Sequence, residues 1–195
     1  MLSYGSPHFN FYLRKKSKND QTIFLHTATT LGLRKGFHCV IDDFIKADIP
    51  NSKLICVGQV QHGERYWNDF ARSITDPRIE IKPFIESNTE EYRNILENAH
   101  YFFYPSLSEG QPGTALEAMA SGCVPILTES AGIDFYPFKK YHCGIDGQNI
   151  LREAQRVYGE VYHEKQLRVQ ELVQRKYNIE AFKDQVRRVI HDDMG

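Results

Sequence analysis

Two apolar runs, Tyr101-Phe102-Phe103-Tyr104 and Cys123-Val124-Pro125-Ile126-Leu127, bracket the stretch Ser108-Glu109-Gly110-Gln111-Pro112-Gly113-Thr114-Ala115-Leu116-Glu117-Ala118-Met119-Ala120-Ser121-Gly122. Short apolar runs bounded by turn residues read as buried strands. The glycines and the proline between them mark a loop. Beyond that loop, Ala115, Leu116, Met119 and Ala120 share one helical stripe, the face that packs a helix onto a sheet. Gly122 closes the helix. A strand, a glycine-bearing loop, a short helix and a second strand thus follow in order. This unit constrains every other segment, because its strands need neighbours that carry helices in the same way.

The alternation does recur along the chain. Residues 22–27 read as a first strand and 52–58 as a second. Gly36 opens a helix between them, with Phe37, Val40, Ile41, Phe44 and Ile45 at helical spacing. Residues 64–73 read as a helix with core contacts at Tyr66, Trp67 and Phe70. Residues 78–84 alternate like a third strand near a sheet edge, and 89–98 form a helix capped by Thr89 or Asn88. After Gly132 the pattern weakens. Residues 142–145 suggest a short sixth strand, and the chain from Gln148 onward is helical with a break at Lys176-Tyr177-Asn178.

Such alternation predicts an α/β fold, a Rossmann-like parallel sheet with helices on both faces. Ligands then bind beyond the C-terminal strand ends. Loops 27–36, 58–63, 83–88 and 105–113 all leave those ends and so converge on one ligand. Residues 1–20 read as an irregular arm ending in a solvated basic turn, 21–177 as the domain, and 178–195 as a C-terminal helix.

The chemistry concentrates at 108–122. A helix opening from a glycine loop offers free N–H groups and a positive dipole end to an anion. Pro112 suits the first helical position, where its missing N–H would be unpaired in any case. Glu117 then stands roughly 7–8 Å along the axis at about 1.5 Å per residue. Its side chain leans back toward the N-terminus. A carboxylate so placed accepts hydrogen bonds from ribose hydroxyls while phosphates stay at the helix mouth. Glu109, in the loop, faces whatever lies beyond those phosphates. Gly110 and Gly113 permit close backbone approach. Either glutamate alone would read as a solvated carboxylate. With the helix start they describe a site for a phosphate joined to a polyhydroxyl group, as in a nucleotide-sugar.

From Tyr104-Pro105-Ser106 to Ile126 the sequence resembles the signature of the group 1 retaining glycosyltransferases of GT-B fold, whose two glutamates have seven residues between them, as Glu109 and Glu117 do here. The resemblance runs from about residue 22 to 192. A second matching element is Leu31-Gly32-Leu33-Arg34-Lys35-Gly36-Phe37, similar to the family's Lys-Gly element. The resemblance implies that Lys35 reaches the donor diphosphate and that Glu109 positions the donor sugar. These two are the catalytic candidates. It also implies substrate contacts at Glu117, Gly110, Gln111, Pro112, Gly113 and Thr114, and at Thr29, Arg34, Gly58, Phe84 and Ile85. Gly58 would leave room for base or ribose. Phe84 and Ile85 would meet the nucleobase, although an aromatic at a strand end by itself reads as core. The loop 130–133 would lie near the donor phosphates or an interdomain cleft.

The chain departs from the family pattern twice. Many relatives carry an arginine after the first strand, where this chain has Ala28-Thr29-Thr30; threonine hydroxyls donate to phosphate more weakly than a guanidinium fork. Gly110-Gln111-Pro112-Gly113-Thr114 also places a polar Gln111 where relatives are often apolar. The resemblance implies one half of a GT-B enzyme that moves sugar from a nucleotide-diphosphate-sugar to a glycan or glycolipid in cell-surface polysaccharide synthesis. It implies no metal or other cofactor, and a separate N-terminal acceptor-binding domain without which the chain is inactive. A cytoplasmic location follows, with peripheral membrane association open to the full enzyme. Two other readings stay open: a nucleotide-sugar epimerase of the same fold, and a non-enzymatic nucleotide-binding regulatory module.

Composition sets the outer bounds. A chain of 195 residues, 41% hydrophobic and 25% charged, suits one domain with a real core. A net charge of −1 gives no electrostatic reason to expect nucleic acid. The four cysteines include no C-x-x-C pair and read as reduced thiols, and the eight histidines show no metal-ligand spacing. There is no 18-residue apolar span and no signal peptide.

Overall fold

The computed structural model describes residues 13–60, 70, 74–133, 135–138, 141 and 145–193. Among them the apolar runs form five strands: β1 (Thr22–Leu31), β2 (Ser52–Val60), β3 (Ile79–Lys82), β4 (Tyr101–Tyr104) and β5 (Val124–Leu127). All pair in parallel, in the order β3-β2-β1-β4-β5. β4 and β5 are buried along their whole length, as uninterrupted apolar strands covered on both faces should be. β3, whose sequence alternates, stands at the edge with half-buried residues.

The helices are α1 (Phe37–Ala47), α2 (Glu90–Asn98), α3 (Gly113–Ala120), α4 (Gly147–Gln155), α5 (Gly159–Lys176) and α6 (Ile179–Asp193). From β1 the chain steps outward to β2 and β3, then returns to β4 beside β1 and steps the other way to β5. Right-handed crossovers running in opposite directions put α1 and α3 on opposite faces. α4 packs on α1 and α5 on α3. Between β1 and β4 lies the switch point, where a crevice opens at the strand C-termini. No described helix is long and apolar enough to cross a membrane.

Two glycines shape that crevice. β1 runs beyond its expected end at residue 27 to Leu31, with a bulge: Thr27 pairs with Val57 and Thr30 with Gln59, so Ala28 and Thr29 oppose Gly58 alone. Gly58 has φ +153°, and a Cβ there would stand 2.1 Å from the Ala28 carbonyl oxygen. The space expected at Gly58 for a ligand is therefore taken by the protein's own bulge. Gly36, in the left-handed region at φ +72°, precedes α1, and a Cβ there would stand 2.0 Å from the Pro105 carbonyl oxygen. Gly36→Ala is expected to lower stability by about 2–4 kcal/mol, through left-handed strain plus that clash. Urea unfolding of the variant measures it.

Other expectations change. In α1, Phe37, Val40, Ile41 and Phe44 are buried, whereas Ile45 is 42% exposed. At 100° per residue Ile45 lies about 90° round from the centre of that stripe. The basic turn before β1 is solvated at Lys15, Ser17, Lys18, Asn19 and Asp20, as expected, but not at Arg14 and Lys16. The Arg14 guanidinium donates to the carbonyls of Leu96 at 2.6 Å, Ser121 at 3.0 Å and Ala99, at the ends of α2 and α3. Lys16, 3% exposed, donates to the Gln155 and Val157 carbonyls at 3.0 and 2.8 Å, at the end of α4. Helix C-terminal carbonyls lack intrahelical partners and carry the negative dipole end, so they draw these cations in. Burial lowers the Lys16 ammonium to a pKa of about 8.

Of the helix expected at 64–73, Phe70 is described; it is helical and packs edge-on against Phe37 at 5.9 Å. The other residues of that helix lie outside the described residues. So do 142–144 of the expected sixth strand, beside which Tyr141 makes a parallel bridge to Thr128. Cys39 is in a disulfide, so the expectation of reduced thiols holds for Cys56 and Cys123 and fails for Cys39.

Candidate functional site

A cavity of about 300 Å³ opens at the switch point. β1 contributes Thr27, Ala28 and Thr29 to its wall, and the turn before α1 contributes Lys35. Phe84 and Ile85 enter after β3, Tyr92 from α2 and Tyr104 from β4. The start of α3 supplies Pro112, Gly113, Thr114 and Glu117.

At the mouth of α3 the structure shifts one expected position. Pro112 is the N-cap, with extended backbone (φ −73°, ψ 120°), and the helix begins at Gly113. Its carbonyl accepts from the Ala115 and Leu116 amides at 3.1 and 3.3 Å. A proline side chain offers no acceptor, and no side chain caps this end. The first-turn amides at Gly113 and Thr114, both in the cavity wall, are thus left for an anion. Behind them Ala115, Leu116, Met119 and Ala120 are fully buried, which anchors the helix on the sheet as its stripe predicts.

Lys35 and Glu109 form an ion pair, and Arg34 approaches the same carboxylate oxygen at 3.3 Å. The loop holding Glu109 is braced on both sides. The Leu107 amide and the Ser106 hydroxyl donate to the Arg34 carbonyl at 2.9 and 3.0 Å, and the Glu109 amide donates to Ser130 at 2.8 Å. Gly132, at φ +67°, touches the Gly110 carbonyl so closely that a Cβ would stand 1.7 Å from it. Close backbone approach here requires glycine at 132; around Gly110 itself the space is open. The 130–133 loop is a brace behind Glu109.

Glu117 is held differently. Its Oε2 accepts from the Tyr92 hydroxyl at 3.2 Å, and that hydroxyl lies 3.3 Å from Thr27 Oγ1. Burial raises the Glu117 carboxyl above the usual carboxylate range, while the Tyr92 hydrogen bond works against the rise. The Tyr92 and Tyr104 phenols are pushed up by burial first, then by Glu117 and Glu109 respectively. Both therefore stay neutral at physiological pH. Among the described residues no three His, Cys, Asp or Glu side chains group as metal ligands.

Residues 21–137 match the family described as Glycosyl transferases group 1. The chain belongs to that family. Its fold is that of one half of a GT-B glycosyltransferase. HepE of Anabaena, solved with UDP-glucose, superposes with a TM-score of 0.72 at 16% identity, over 89% of this chain and 49% of that one. The lipopolysaccharide outer core galactosyltransferase WaaB gives 0.76 at 16% identity, over 97% and 54%. WaaG, a glycosyltransferase involved in lipopolysaccharide biosynthesis, gives 0.67 at 16%, over 89% and 51%. The chain spans about half the length of these structures. No curated protein sequence matches it.

In this group 1 glycosyltransferase chain, eight of the expected site residues meet in one cavity wall: Thr29, Lys35, Phe84, Ile85, Pro112, Gly113, Thr114 and Glu117. Glu109 joins them through its pair with Lys35. Gly110 is exposed and Gln111 half-buried in the loop above, Arg34 is 65% exposed at the rim, and Gly58 lines a separate groove with Pro83. Phe84, 44% exposed, belongs to the wall and not to the core. Sequence reasoning missed Thr27, Tyr92 and Tyr104. For Tyr92 a signal existed: the Thr89 cap places it in the first turn of α2, and that turn faces the crevice because β3 ends there.

Proposed function

We propose that this cavity holds the nucleoside diphosphate of a nucleotide-sugar, and that the chain is the donor-binding half of a retaining glycosyltransferase. One observation carries the reading: Lys35, the uncapped start of α3 and the half-buried Glu117 line a single cavity at the switch point. A cation and free amides suit a diphosphate. A half-buried carboxylate suits a pair of hydroxyls. HepE, of like fold, was solved with UDP-glucose, which supports the ligand class. The retaining outcome and a glycan or glycolipid acceptor are carried over from the motif resemblance.

As the sugar–phosphate bond breaks, negative charge grows on the departing diphosphate. Fixed positive groups aimed at that charge make the largest expected contribution. Lys35 and the Gly113 and Thr114 amides fill this role, with Thr29 donating a neutral hydrogen bond. Glu109 orients the sugar through a hydroxyl. Phe84 and Ile85 present apolar surface to the base. The acceptor, with any membrane association, is assigned to a partner domain outside these 195 residues.

The test is a thermal-shift panel of UDP-, GDP- and ADP-sugars, since a ligand of the native state raises its melting temperature. One nucleotide class should give a clear rise, without robust sugar transfer by this chain alone. No rise with any of them would overturn the donor reading, and robust transfer would overturn the division of labour.

A further inference from the structure

Tyr92 is the residue whose hydroxyl reaches Glu117, and its own position is tightly set. The ring is 3% exposed. Its amide donates to Thr89 Oγ1 at 3.2 Å, while the Thr89 amide and hydroxyl both donate to the Glu86 carbonyl, at 3.2 and 2.8 Å. The cap therefore ties the first turn of α2 to the loop that leaves β3. The Tyr92 hydroxyl then stands between Thr27 Oγ1 on β1 and Glu117 Oε2 on α3. All three side chains line the cavity.

We infer that Tyr92 is a positioning residue for ribose recognition, holding Glu117 by Oε2 so that Oε1 is left to accept from the ribose hydroxyls. The inference rests on the donor reading and deepens it. The terminal torsion of a glutamate is broad and roughly two-fold, so an unheld carboxylate samples many planes. Accepting from two vicinal hydroxyls needs one plane. A buried phenol that is itself held by Thr27 supplies that plane before the ligand arrives, which lowers the ordering cost of binding.

The same bond bears on the charge of Glu117. Donation to a carboxylate favours its ionised form, against the burial that disfavours it. Among the described residues, the other charged or titratable groups facing the cavity are Lys35 before α1, Glu86 after β3 and Tyr104 on β4. Removing the Tyr92 hydroxyl leaves Glu117 protonated up to a higher pH, so nucleotide binding fails earlier as pH falls.

The test is calorimetry on the full chain with UDP, GDP and ADP and their 2′-deoxy forms, across pH. Tyr92→Phe keeps the buried ring. It should weaken the best-bound ribonucleotide by about five- to tenfold, the worth of one hydrogen bond. The preference for ribo over deoxy should shrink toward none, and the acid limb of binding should move to higher pH. Thr27→Val should act in the same direction and less. Loss of the ribo preference in Glu117→Gln while Tyr92→Phe keeps both preference and acid limb overturns this inference and spares the donor reading. Binding of none of the three nucleotides by the unaltered protein overturns both.

Discussion

Lys35→Ala is expected to weaken nucleoside diphosphate binding by roughly 10- to 100-fold, since a hydrogen bond to a charged group is worth about 1.5–3 kcal/mol. The neighbouring carboxylate shapes the result. The Glu109 side chain is 11% exposed, is neutralised by Lys35, and is otherwise met by Arg34, a largely exposed guanidinium at 3.3 Å, and by the neutral Tyr104 hydroxyl. Deleting the ammonium leaves a poorly compensated negative charge beside the place of an incoming diphosphate. Part of the loss is thus repulsion, and Glu109→Gln in the Lys35→Ala background should recover that part. With Lys35 present, Glu109→Gln instead frees the ammonium, and a bare nucleoside diphosphate should bind more tightly. An intact nucleotide-sugar loses its hydroxyl contact to Glu109 and gains less. A double-mutant cycle by calorimetry reads the coupling. Strict additivity would show that the two side chains do not share a ligand.

Much of this site was legible because its logic is local. The glycine loop, the stripe of α3 and the spacing of Glu109 and Glu117 lie within one short segment, and the structure keeps them together. What escaped the sequence were relations between segments. Gly58 reads as room for a ligand until the register shift of β1 shows that it accommodates a bulge. Arg14 and Lys16 sit in a basic run that looks solvated, and only the folded chain brings three helix C-termini against them. Pro112 fits the first helical position by propensity, but its extended ψ places it one residue earlier, at the cap. Phe84 shows the limit most clearly. An aromatic at a strand end packs inward when something covers it, and here the edge strand ends at an open crevice.

Glu117→Gln should move binding and stability in opposite directions. Glu117 is raised above its ordinary carboxyl value of 4.5, first by desolvation. The folded protein therefore holds this proton more tightly than the unfolded chain does. Its stabilising effect is present below the ordinary value and lost as pH rises through the folded one. At neutral pH the group is a partly desolvated carboxylate that opposes folding, held in place by Tyr92. A neutral isostere keeps an acceptor for the Tyr92 hydroxyl and removes the desolvated charge. The ligand-free variant should melt higher than the original at neutral pH, with the gain shrinking as pH falls toward 4.5. Nucleotide affinity should fall by roughly tenfold or more, because a carboxylate acceptor for ribose hydroxyls is replaced by a weaker neutral one. Melting curves with and without nucleotide read both quantities on one sample. A side chain kept for packing would show the reverse, a lower melting point with binding intact. A side chain that costs stability until its ligand arrives is the thermodynamic mark of a binding residue.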